Sequence, residues 1–246
     1  IRDLHLSRGL GDVYTRQKEK AWAGAGDETI KQATDMGASV KEESPVEIWY
    51  LSKDMTELAQ CCACHNKIVE LPQGSELGTH MQLAAEVGRL CLQRCNIDRK
   101  VVIIAPTSLI VLQHYDVVKK LSDLRCKYIL GSAEVDIWEG DKWHEQVMST
   151  DVLIVTPQLF LDALDARHVN LNVFCAVIVD ECQHCSGRHP LAKIFVEHVS
   201  KLNAWDDVRV LGISGRLVKP KVKGRAEQGQ VIRKLEKLMT ATLLMV

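Results

Sequence analysis

The sequence predicts an α/β fold: a doubly wound, mostly parallel sheet with helices on both faces. Three runs carry that expectation, Val101 to Thr107, Asp151 to Gln158 and Val208 to Gly215. Each is a short β-branched stretch that stops at small or hydroxyl residues and gives way to helix-forming sequence. A fourth run, Ala176 to Val179, has the same apolar character but ends in two adjacent carboxylates, Asp180 and Glu181. Repeated βα units of this kind build a parallel sheet whose working residues gather along its carboxyl edge.

Residues 1–45 are polar, rich in Gly, Lys and Glu, and without sustained periodicity. They read as a flexible extension, with a short helix near Glu28 to Met36 and linker composition at Ala21 to Gly26 and Glu42 to Pro45. The globular body is expected over residues 46–218. It opens with a helix around Lys53 to Cys64, a strand at Lys67 to Leu71, a glycine-containing loop, and a helix near His80 to Gln93. A further strand is expected at Cys126 to Leu130. Residues 219–246 read as a C-terminal helix, because Val231, Leu235 and Leu238 recur at helical spacing.

The 246 residues suffice for one large core, and 46% hydrophobic content argues for a packed body. A formal net charge of −1 gives no global signature of nucleic-acid binding, so any such binding must use a local strip. No apolar stretch approaches the length of a membrane span and nothing at the start resembles a secretory signal, so a cytoplasmic protein without a membrane partner is expected. A chain that opens on Ile1 is expected to lack its own amino terminus. Nine cysteines, an odd number, favour reduced thiols. Cys61-Cys62-Ala63-Cys64-His65 and the Cys182/Cys185 pair have metal-like spacing, but the first lies in helical sequence and the second inside the acidic turn. Packing is expected over zinc at both.

Two neighbouring carboxylates at a strand end repel each other and resist desolvation, so a metal ion is an economical reason to place them there. In a nucleotide hydrolase the first acid of such a pair holds Mg²⁺ through water and the second orients or deprotonates the attacking water. The plainer reading is a strand running into an acidic turn.

Taken in order, APTSLIVLQH, TPQLFLDAL, VIVDECQH and LGISG resemble motifs Ia, Ib, II and III of superfamily-two helicases, the DExD/H-box group. The stretch from Val135 to Pro190, with Trp138 and Trp143 ahead of the TPQ strand and His189-Pro190 after the acidic pair, resembles the amino-terminal helicase domain of Dicer. Its flavour is that of the insect Dicer that processes long double-stranded RNA. The likeness runs from about Glu47 to Val246. It implies a RecA-like P-loop NTPase fold, with residues 46–218 as the first, ATP-binding lobe. It also implies ATP and Mg²⁺ as cofactors, with Asp180 holding the metal through water and Asp180 and Glu181 catalytic.

The same resemblance assigns the phosphate loop to Pro72, Gln73, Gly74, Ser75, Glu76, Leu77, Gly78 and Thr79. Such a loop cradles phosphates with backbone N–H groups, reaches the outer ones with a lysine, and sets a hydroxyl on Mg²⁺. Here the lysine position falls on Leu77 and the hydroxyl position on Gly78. A one-residue insertion moves them to Gly78 and Thr79. Neither register supplies a lysine. The missing charge-assisted contact is worth on the order of 1.5–3 kcal/mol, and Glu76 adds a repelling carboxylate. The glutamine that would read adenine is also replaced, by Met55, although Trp49 or Tyr50 offers a ring to stack a base.

Motif II ends in Gln183 where histidine is usual, and Gln183 is expected to hydrogen-bond to Ser214 of motif III, coupling nucleotide to RNA. Arg216 stands in a serine position. Pro106, Thr107 and Gln113 match motif Ia and Thr156, Pro157 and Gln158 match motif Ib, a set expected to grip the RNA backbone. Taken singly, either threonine reads as an ordinary helix cap. The partners implied are double-stranded RNA, double-stranded-RNA-binding proteins and the remaining Dicer domains in cis. The second RecA-like lobe and the ribonuclease III acids are expected outside this sequence. Two readings stand: an ATP-hydrolysing lobe of a Dicer-like ribonuclease, or a catalytically inactive module that shapes RNA or docks a protein.

Overall fold

The computed structural model describes residues 53–71, 77–95, 98–132, 135, 138–202, 208–218, 222 and 224–245. The expected flexible extension, its short helix, Trp49, Tyr50 and the loop residues Pro72 to Glu76 lie outside them. Seven strands form one sheet: β1 Lys67–Glu70, β2 Lys100–Ile104, β3 Cys126–Ile129, β4 Val152–Val155, β5 Phe174–Asp180, β6 Arg209–Ser214 and β7 Thr242–Met245. Their spatial order is β3-β4-β2-β5-β6-β1-β7, and every pairing is parallel. The chain runs from β1 through β2 to β3 at one edge, then turns back through β4, β5 and β6 to β7 at the other edge, the doubly wound arrangement expected from the repeated βα units.

The helices are α1 Lys53–Cys64, α2 Leu77–Arg94, α3 Ser108–Leu121, α4 Gly140–Met148, α5 Pro157–Asp165, the short α6 Pro190–Lys193, and α7 Arg225–Met239. A π-helical turn over Ile194–His198 continues α6. Central strands such as β2 and β5 are buried at every position, as a sheet covered on both faces requires. Alternate residues feed two cores. Val101, Ile103 and Ile178 pack with Leu83, Val87 and Val111 from α2 and α3. Val102, Ile104, Val177 and Val179 pack with Trp143, Phe160 and Leu235 from α4, α5 and α7.

Several boundaries differ from the expected ones by one to three residues. The first strand ends at Glu70 and the third at Ile129, each one residue early, while α2 starts at Leu77, three residues before the expected His80. The end of the chain is more than a helix. Past Thr240, which caps α7 in the left-handed conformation, residues 242–245 form β7 and pair in parallel with β1 at the edge of the sheet. The four-residue run was too short to separate from the helix by periodicity. The cysteines of the described residues are free thiols, and Cys62, Cys91, Cys175, Cys182 and Cys185 are buried. Burial raises the Cys62 and Cys185 thiols to about 12, which keeps them protonated and unreactive. No helix among the described residues is long and apolar enough to cross a membrane.

Candidate functional site

The carboxyl edge of the sheet sets the predicted residues in a row. In spatial order, β4 delivers Thr156, β2 delivers Thr107, β5 delivers Asp180, β6 delivers Ser214, and β1 delivers Leu71. The threonine turns lie toward β4 and β2, and Leu71, which follows β1, lies on the other side of Asp180.

Described residues on either side of Pro72 to Glu76 contact this edge. Leu71 donates its backbone N–H to the Ser214 carbonyl at 3.0 Å. On the other side α2 places His80, its fourth residue, with Nδ1 3.5 Å from Asp180 Oδ1. The edge therefore presents Asp180 beside the first turn of α2. Leu77, Gly78 and Thr79 form the first turn of that helix, where backbone N–H groups are left without intrahelical partners. None of the three carries a charge. Both registers put the metal-facing position on Gly78 or Thr79, yet the side chain that α2 sets against Asp180 is His80.

Asp180 is 2% exposed and held from three sides. His114 Nε2 lies 2.9 Å from Oδ2, and the Glu181 backbone N–H donates to Oδ1 at 2.9 Å. Because a carboxylate only accepts, the His114 proton at this contact sits on Nε2. Burial alone would push the Asp180 carboxyl up; the His114 and His80 contacts together outweigh it and hold the group well below the usual carboxylate range. Sequence reading passed over both histidines. His114 follows Gln113 directly, and a histidine on the buried face of a helix needs a polar partner, which is the signal that was there to use.

Glu181 adopts the left-handed conformation, φ 54° and ψ 46°, uncommon for a residue with a Cβ. That turn ends β5 and folds Cys182 under the sheet, where it packs on Gly212 of β6. The Glu181 carboxylate accepts a short hydrogen bond from Gln183 Nε2. The expected link from Gln183 to Ser214 is not the bond formed: Ser214 Oγ instead accepts from the Arg216 backbone N–H at 3.0 Å. Each side chain is used locally because it is the nearer partner, and Gln183 Oε1 is left buried without one.

Thr107 caps α3, accepting the Ile110 N–H at 3.3 Å, and stays exposed. The plainer capping role thus coexists with solvent access. Thr156 precedes α5 without a side-chain capping bond, and Pro157 occupies the first turn and is buried. Gln158 is exposed and donates to Asp162 Oδ1 at 2.7 Å. Pro106 is half-buried, and Gln113 Oε1 is buried without a partner. Among the described residues no cysteine belongs to a group of three or more candidate metal ligands.

A site built on one imidazole and two carboxylates tests the implied cofactors. Mg²⁺ prefers oxygen ligands in near-octahedral geometry and keeps several waters. The imidazole at His80, the crowded Asp180 carboxylate and the uncharged first turn of α2 fit a magnesium nucleotide poorly.

Comparison with known proteins bears on the family and the fold. Plant and fungal Dicer proteins are among the relatives found. The chain is 34% identical over 143 residues to the Endoribonuclease Dicer homolog 2 of Arabidopsis thaliana, covering 57% of this chain and 10% of that protein. It is 33% identical over 177 residues to the Endoribonuclease Dicer homolog 2b of Oryza sativa subsp. japonica, covering 70% of this chain and 13% of that protein. The chain thus spans only about a tenth of these relatives, and they support Dicer-like kinship without the insect flavour. The crystal structure of the Pyrococcus furiosus Hef helicase domain superposes with a TM-score of 0.60 at 19% identity, over 78% of this chain and 37% of that one, which supports the fold. Residues 80–217 match the DEAD/DEAH box helicase family, more than half of the sequence. The chain belongs to the DEAD/DEAH box helicase family.

Proposed function

We propose that this chain is the first helicase lobe of a Dicer-like ribonuclease, and that it engages double-stranded RNA in small-RNA production while turning over no ATP by itself. The observation that carries this reading is the order of residues along the carboxyl edge. Thr156 and Thr107 stand on the β4–β2 side, Asp180 and Glu181 in the middle, and the phosphate-loop helix beyond them. Such an edge can hold RNA backbone on one side through hydroxyls, amides and helix ends, largely without regard to base sequence. The kinship to Dicer homologues favours this substrate over duplex DNA.

For the nucleotide, each residue has a defined part. Asp180 would hold Mg²⁺ through water, Glu181 would orient the attacking water, and Pro72 to Thr79 would surround the phosphates. The loop lacks its lysine in either register, and His80 and His114 already engage Asp180. Binding of ATP is therefore weak on this reading, and release of phosphate negligible. The remaining Dicer domains act in cis, and double-stranded-RNA-binding proteins are the expected protein partners. Cytoplasmic residence goes with that role.

The second reading is a pseudo-helicase scaffold that docks a protein and leaves RNA alone. Titrating fluorescent long double-stranded RNA, single-stranded RNA and duplex DNA at two salt concentrations separates them. The proposed reading expects salt-dependent binding with preference for double-stranded RNA, weakened several-fold by Thr107→Ala combined with Thr156→Ala. Absence of RNA binding at low salt would leave the scaffold.

A further inference from the structure

We propose that the groove between α7 and the π-helical turn after α6 docks a short amphipathic helix with an acidic polar face, carried by a partner protein. This docking needs neither RNA nor nucleotide.

The groove encloses a volume of about 700 Å³. Its floor is apolar: Phe195, Leu217 and Leu235 are buried members of the core on the α7 face of the sheet. Its walls are apolar as well. Val196 is 55% exposed on the π-helical turn, beside the buried Ile194 and Phe195. Val231, 36% exposed, stands one turn of α7 before Leu235, and Leu238 follows at the next turn. That i, i+4, i+7 spacing makes one apolar stripe along α7. Leu235 in its middle packs into the core, while Val231 opens to the groove. Single exposed aliphatics need no explanation, but here two of the four exposed large hydrophobics among the described residues line one cavity.

Charge selects the occupant. Among the described residues, Lys234 and Lys237 are the charged groups that line the groove; both are exposed, and no carboxylate joins them. Val222, which also lines it, lies in a run of sequence that holds Lys219, Lys221, Lys223 and Arg225 and no acid. In a chain of net charge −1 this is a local excess of positive charge. Glu236, between the two lining lysines, is engaged by the Leu243 backbone N–H at 2.8 Å.

An apolar trough rimmed by ammonium groups is the complement of a helix with aliphatic anchors at i, i+3 or i+4 and i+7 and carboxylates beside them. A nucleic-acid backbone fits it worse, because phosphates need cations and hydrogen-bond donors along their track and gain nothing from an aliphatic floor. Gln183 also lines the groove, and its amide donates to the Glu181 carboxylate. A docked helix therefore lies against the side chain that holds Glu181.

Peptides of designed sequence probe the groove directly. A fluorescein-labelled amphipathic helix of about five turns, with leucine anchors and a glutamate face, is titrated with the full chain and followed by anisotropy. The controls are the same peptide with lysine for glutamate, and a scramble that keeps the composition and loses the apolar face. One-to-one binding is expected for the acidic peptide, about 10-fold tighter than for either control and weakened by salt. Val196→Asp should weaken it about 10-fold. Lys234→Glu combined with Lys237→Glu should do the same and also raise affinity for the lysine peptide, a reversal that a damaged fold would not give. Both changes fall at exposed positions, and thermal unfolding checks that the variants fold; should Val196→Asp fail to fold, the lysine pair decides alone. No saturable binding of the acidic peptide, equal binding of the scramble, or unchanged affinity in the folded variants overturns the site. So does displacement of the peptide by long double-stranded RNA whose own binding falls with Val196→Asp, which would give the groove to nucleic acid.

Discussion

His114 Nε2 stands 2.9 Å from Asp180 Oδ2, and neither side chain is more than 2% exposed. The pair joins α3 to the end of β5 across 66 residues of sequence. A charge this deeply placed is tolerated only because partners surround it, so removing one partner costs more than the hydrogen bond itself. His114→Ala is expected to destabilise the chain by about 3 kcal/mol in denaturant unfolding, with His114→Gln recovering part of the loss. Equal stability of His114→Ala and wild type would mean that solvent reaches Asp180.

The same pair gives stability a pH dependence. Asp180 is held below its ordinary value in the folded chain, so its contribution is fully present above the unfolded value near about pH 4. It is lost as pH falls through the lower folded value. Acid unfolding followed by circular dichroism should therefore be steeper for wild type than for Asp180→Asn below about pH 4. Parallel curves would show that Asp180 takes no part.

Lys100 and Asp98 form a lopsided ion pair, 2.6 Å apart, with the Lys100 side chain fully buried and Asp98 71% exposed. Removing the two partners should have unequal effects. Lys100→Met leaves a hydrated aspartate and lets an apolar chain fill the space at the start of β2, for a small change in stability. Asp98→Ala strands a buried ammonium and should cost roughly 1–3 kcal/mol. Urea midpoints of the two variants decide the order, and a more damaging Lys100→Met would reverse the assignment.

Gly212 of β6 is where the acidic turn presses on the sheet. A Cβ there would lie 2.9 Å from Met239 Cε and 3.0 Å from Cys182 Sγ. The methionine end can swing aside, but Cys182 is fixed by the turn that follows Glu181. Gly212→Ala should cost about 1–3 kcal/mol by overpacking, and a thermal shift assay would register it as a lowered midpoint. A neutral result would mean that Cys182 moves freely.

The sheet was legible because parallel strands buried on both faces spell apolar runs, as Val101 to Ile104 and Ala176 to Val179 do. The carboxyl-edge placement of Asp180 followed from that topology alone. β7 escaped because Thr242 to Met245 is short and its partner, β1, lies some 170 residues earlier, a pairing that no local pattern encodes. The histidines escaped for a related reason. A histidine on the buried face of α3 signals that a polar partner is needed, but which residue His80 and His114 meet is set only by what α2 and α3 face once folded. The coupling expected between Gln183 and Ser214 went astray on geometry, since each found a hydrogen-bond partner within two residues.

The central question is whether the edge that holds Asp180 and Glu181 hydrolyses ATP. Phosphate release from the full-length protein, measured with saturating long double-stranded RNA for wild type and Glu181→Gln side by side, tests this most directly. Background release, equal in the two proteins, is the outcome expected from a loop without its lysine and an aspartate engaged by two histidines. RNA-stimulated release that disappears in Glu181→Gln would contradict it.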